Sequence, residues 1–201
     1  MTVVFTTLLF GTAANATDYD FSGVFNQDNN VQHMNFTVGQ NSNITVFSSS
    51  WVAGGFDPIL AIWSNSGALL YQQDDGHNIG TTDSNGVAYA HGNWDSYYDL
   101  VLNPGSYIAT VAEYNNFANG TTLAQGFMYD NQPHFTFTNG FGSQPDFNGV
   151  LNNQDARTGD WAFHLLNVES AIVVTPEPAT MFLLGIGILG LWGVSRKKSK
   201  K

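Results

Sequence analysis

Asp57, the adjacent pair Asp74-Asp75, and Asp95 stand in turns between the most apolar runs of the chain. Carboxylates on flexible Gly- and Ser-flanked turns offer hard oxygen donors, which suit Ca²⁺ and its six to eight ligands. The spacing lacks the twelve-residue order of an EF-hand, so any calcium site would have to be assembled by the fold from separate loops. The alternative for these residues, and equally for Asp83 and Asp99, is turn formation and solvated surface charge.

Other chemistry is poorly provided for. The five histidines (His33, His77, His91, His134, His164) form no H-E-x-x-H or other metal-ligand spacing. Ser48-Ser49-Ser50 has no nucleophile elbow around it, because no G-x-S-x-G occurs in the chain. Glycoside hydrolysis needs two carboxyls about 5–10 Å apart in a cleft, one with a raised pKa, and Asp74-Asp75 is the nearest candidate pair. The expectation is a protein that is not an enzyme.

The elements that would carry these residues read as strands. Apolar runs are short, rich in β-branched and aromatic residues, and broken by Gly, Asn, Asp or Pro every eight to twelve residues or so, the pattern of an all-β sandwich or barrel. The spacing predicts strands over Asp20–Phe25, Val31–Val38, Ile44–Ser50, Ile59–Trp63, Ala68–Tyr71, Val87–His91, Tyr97–Leu102, Tyr107–Glu113, His134–Thr138 and Trp161–Asn167. Leu60, Ile62, Val101, Ile108 and Val111 are expected to face inward. Asn103-Pro104-Gly105-Ser106 reads as a type II turn, which would join the flanking strands as a hairpin. The acidic turns would then gather at one edge of an antiparallel, jelly-roll-like β-sandwich.

From Asn115 to Gly159, predicted strands are sparse and Phe117, Phe127, Phe135, Phe137, Phe141 and Phe147 recur. Such rings pin a long segment to the sandwich; a stacking platform for sugars is the other reading.

Composition narrows the partners. Residues 17–174 hold 15 carboxylates against the single base Arg157, a formal charge of −14. That surface repels nucleic acid and anionic lipid and attracts cations. With no cysteine there is no disulfide and no thiolate chemistry.

Both ends carry targeting signals. Val3 to Phe10 is mostly apolar and Ala14-Asn15-Ala16 fits a small-x-small cleavage site, so residues 1–16 read as a signal peptide whose basic n-region is missing here. Residues 17–174 form the expected domain. At 175–201 stand Pro176-Glu177-Pro178, the uncharged run Ala179–Val194, and a tail at 196–201 holding five of the six Lys and Arg. The run gives about 24 Å of helix, enough to span a bilayer with flanking cations snorkelling, and its basic end stays cytoplasmic.

This tripartite end resembles the PEP-CTERM sorting signal. The resemblance implies an exosortase as partner, with Pro176, Glu177 and Pro178 as the sorting motif, an inner-membrane precursor, and a final place at the cell surface or outside the cell. A second resemblance, to the bacterial pre-peptidase C-terminal type of β-sandwich, covers roughly Phe56 to Ala112. It runs through Phe56-Asp57-Pro58, Gln73-Asp74-Asp75-Gly76, Asp95-Ser96 and Asn103-Pro104-Gly105-Ser106-Tyr107. Some relatives of that fold bind calcium in such loops. The expected role is a surface or matrix protein that adheres or associates with exopolysaccharide. The competing role is a carbohydrate-binding or peptidase-associated accessory module, with Trp51, Trp63, Trp94 and Tyr97 in an exposed groove.

Overall fold

The computed structural model describes residues 16–149 and 156–174. Eleven strands occur there: β1 (Thr17–Val24), β2 (Val31–Val38), β3 (Ser42–Ser48), β4 (Pro58–Ser64), β5 (Leu69–Gln73), β6 (Gly80–Ser84), β7 (Val87–His91), β8 (Tyr97–Leu102), β9 (Gly105–Glu113), β10 (Asp160–Val168) and β11 (Ser170–Val174). They build an antiparallel four-stranded sheet, β1-β10-β3-β8, a five-stranded sheet, β11-β2-β9-β4-β5, and the separate β6-β7 hairpin. Residues 1–15 of the expected signal peptide, the Pro-Glu-Pro motif and the apolar run Ala179–Val194 lie outside the described residues. No helix among the described residues is long and apolar enough to cross a membrane.

Period-two alternation makes the main core. Met34, Phe36 and Val38 from β2, Leu60 and Ile62 from β4, and Ala109 and Val111 from β9 meet Ile44, Val46, Phe163 and Leu165 of the smaller sheet. In β4 the alternation vanishes, because both faces are covered. Ala61 and Trp63 point the other way, under Phe127 and the segment after β9, and the Trp63 indole donates to Thr110 Oγ1 at 3.0 Å. A strand buried on both faces reads as an unbroken apolar run.

Four expectations are corrected. Val101 is 62% exposed, being out of phase with its core-facing neighbours Tyr98 and Leu102, and Ile108 packs on the outer face beside Trp63. Residues 103–106 do not close a hairpin: β8 pairs with β3 and β9 with β2 and β4, so the chain crosses there from one sheet to the other. Gly105 takes no left-handed conformation and instead opens β9. Residues 135–138 form a single α-helical turn, α1 (Phe135–Thr138), rather than a strand.

The cause of that turn is Asp28. Wholly buried in the β1–β2 loop, its carboxylate accepts from Thr136 N at 2.8 Å, Thr136 Oγ1 at 2.6 Å and Phe147 N at 2.6 Å. The Phe-rich segment is thus tied to the sandwich by one carboxylate as well as by its rings. Phe127, Phe135 and Phe147 are buried, while Phe137 is 53% exposed.

Candidate metal centre

Asp57 immediately precedes β4, and Asp74-Asp75 immediately follows β5, the strand paired with it. Antiparallel pairing therefore brings the start of one and the end of the other to the same point. Ser96 fixes the junction: its hydroxyl contacts the carbonyls of Pro58 (2.6 Å), Gln73 (3.0 Å) and Asp74. Gly76 is required beside it, since a Cβ there would lie 2.5 Å from Tyr97 N and 2.8 Å from Asp95 O.

One carboxylate oxygen from each of Asp57, Asp74 and Asp75 falls within 4.8 Å of the others. Oxygens sharing one Ca²⁺ at 2.3–2.6 Å lie no more than about 5 Å apart, so the spread fits a single ion. Asp57 is 5% exposed, yet its Oδ1 has no hydrogen-bond partner; Oδ1 of Asp74 and Asp75 and Oε1 of Gln73 are buried and unpartnered as well. Buried acceptors are normally satisfied, and four orphans at the end of one strand pair leave acceptor capacity of the kind a cation satisfies. Positive charge near the cluster is sparse: Arg157, which also donates to Gly55 O (2.8 Å) and Trp51 O, offsets Asp57 in part, and His77 offsets Asp75.

Asp95, the fourth expected ligand, does different work. Its Oδ1 accepts from Ser48 Oγ (2.9 Å) and Trp51 N (3.0 Å), and its Oδ2 from Gly92 N (3.0 Å) and Val52 N (3.3 Å). All its capacity holds two loops together, and it acts on the cluster only through its charge.

Burial pushes Asp57 up to about 9, helped by Asp74, Asp75 and Asp95, and pushes Asp74 up to about 7 with Asp75 as the second cause. Burial raises Asp75 too. The folded state therefore keeps protons that the unfolded chain has released above about pH 4. A raised folded pKa means stability is lost as pH rises toward that pKa. For the metal-stripped protein we expect the melting temperature to fall from about pH 7 to about pH 9, and saturating calcium to flatten the profile by replacing the protons. A metal-stripped protein that melts higher at pH 9 than at pH 7 would contradict the assignment.

Two features escaped sequence reasoning. Glu113, at the end of β9, is buried against Asp28; burial first and Asp28 second hold its carboxyl well above the usual range. Across the outer face of the smaller sheet, Asp20 Oδ1 sits 2.7 Å from His164 Nδ1, whose Nε2 is 2.9 Å from Ser49 Oγ. That order resembles a nucleophile, base and orienter. Ser49 N donates to Ala162 O, while Trp51 N and Val52 N donate to Asp95, so these three amides are engaged in holding the loop. Ser49 also does not line the neighbouring cavity of about 200 Å³, which Asp20, Tyr89 and His164 border. The chain of contacts ties β1, β10 and β3 together.

Of the four aromatics expected in a groove, Trp63 is excluded by burial, while Trp51, Trp94 and Tyr97 are partly exposed. Trp51 lies under the Arg157 guanidinium at 3.6 Å and beside Trp94 at 6.0 Å.

A family model described as the PEP-CTERM protein-sorting motif matches residues 174–197. That match implies secretion, processing by an exosortase and a precursor anchored in the membrane through its C-terminal region. Comparison with curated proteins returns no match.

Proposed function

We propose that this chain is a non-enzymatic surface or matrix protein, sorted by an exosortase, whose sandwich is clamped by calcium between Asp57 and Asp74-Asp75 and associates with exopolysaccharide. The observation that supports the calcium half most is the orphaned Asp57 Oδ1, buried among two other unpartnered carboxylates. Calcium suits the donor set because every candidate ligand is an oxygen and the turns around them are irregular. The sorting match supports the destination. The polysaccharide half extends the surface destination that the sorting match supports, and the domain's single Lys or Arg favours neutral over anionic glycans.

The test is melting of the purified protein in calcium and in magnesium at equal ionic strength. A ligand at about a hundred times its Kd adds about 2.7 kcal/mol. At about 2–4 °C per kcal/mol for this size, calcium should raise the melting temperature by roughly 5–10 °C. Magnesium should do much less, since it demands octahedral geometry and dehydrates reluctantly. Equal shifts from both ions would reduce the effect to charge screening. Retention on the organism's own exopolysaccharide tests the second half.

A further inference from the structure

The cluster and the point where the chain leaves the sandwich lie at the same end of one sheet. Pairing aligns Val174, His33, Thr110, Ala61 and Gln72 in a single row across β11, β2, β9, β4 and β5. Beyond that row, in the direction in which β11 is heading, Asp74 and Asp75 follow Gln72 by two and three residues, and Asp57 stands four from Ala61. At about 3.3 Å per residue the carboxylates project roughly 7–13 Å past Val174 along the exit direction. Sideways, four strand spacings of about 4.8 Å separate the two.

The tether is short. Ala179, the first residue of the apolar run, is five residues after Val174, so at most about 18 Å of chain separates β11 from the hydrocarbon of the anchored precursor. The headgroup layer itself occupies about 5–8 Å on each side. The end of the sandwich bearing the exit must face the bilayer, and the cluster lies on that end. Within the cluster Asp57 is buried while Asp74 and Asp75 are half-buried, so these two are its members nearest solvent.

We propose that in the anchored precursor this end rests on the bilayer surface, where a divalent cation held by Asp57, Asp74 and Asp75 is shared with lipid headgroup phosphate. This rests on the calcium reading above. Three carboxylates leave coordination positions open on Ca²⁺, and phosphate oxygens fill them. Without the cation, acidic end and anionic leaflet repel each other.

The experiment uses the full chain in vesicles of phosphatidylglycerol and phosphatidylcholine with a nitroxide-headgroup quencher. Because the chain has no cysteine, single labels go on by Ile79→Cys, exposed and four residues past Asp75, or Gln40→Cys, exposed in the β2–β3 turn at the far end. Calcium should increase quenching of the label at 79 severalfold and leave the label at 40 unchanged, and adding Asp75→Asn should abolish the response. Equal quenching at both positions, or a label at 79 that ignores calcium, overturns the proposal. Melting the same chain in neutral detergent separates the causes. If calcium stabilises it there while the label at 79 stays unresponsive, sharing with lipid is wrong and the site stands. If calcium does nothing in detergent, the site itself has failed.

Discussion

Glu177→Ala leaves an uncut, membrane-bound precursor and no mature product when the chain is expressed beside an intact exosortase. Glu177 is the one charged residue of the motif and stands between two prolines. Alanine keeps the backbone and removes only that charge, which makes the substitution a test of recognition. The motif lies beyond β11, the last strand, so the sandwich should melt unchanged in the variant. Immunoblots of membrane and medium fractions read the outcome. Equal amounts of mature product from both forms would show that Glu177 is not read.

Asp28→Ala should be the most damaging single change in the sandwich that leaves the metal cluster untouched. The carboxylate satisfies Thr136 N, Thr136 Oγ1 and Phe147 N, and it faces the buried Glu113 carboxyl. Alanine strands those donors in a dry site. Leaving a buried donor without its partner costs about 1–3 kcal/mol. Domains are stable by only about 5–15 kcal/mol in all. Urea unfolding should show that loss, and limited proteolysis should cut between residues 115 and 149 before anywhere else. Asp28→Asn keeps an acceptor and should fall between the two. A loss under about 1 kcal/mol for alanine would mean the Phe-rich segment is held by its rings alone.

Strands were legible wherever alternation or β-branched density marked them: β2, β4, β8 and β10 lie close to their expected bounds. β6, Gly80–Ser84, carries no apolar residue and could not announce itself, since it pairs only with β7. β11 is apolar but short, and in sequence it merges with the lead-in to the sorting signal. The sheet crossing at 103–106 was invisible because a tight turn specifies proximity of its ends and says nothing of which sheet receives the second strand.

The same limit governs the site. Asp57 and Asp74-Asp75 were readable because each abuts a strand end, and pairing of β4 with β5 does the rest. Asp95 looked identical in sequence and differs only in that four donors reach it. Asp28 gave no signal at all: its partners lie 108 and 119 residues away.

Strand order also governs when the domain can fold. β10 stands between β1 and β3, and β11 pairs β2. A chain emerging N-terminus first has β1 in hand for some 140 residues before its partner appears. Pairings this distant close late and slowly. The smaller sheet cannot be completed until Val168 has arrived, and by then only a few residues remain before the apolar run enters the bilayer. The topology therefore withholds the native state until nearly all of residues 17–174 are available to pair.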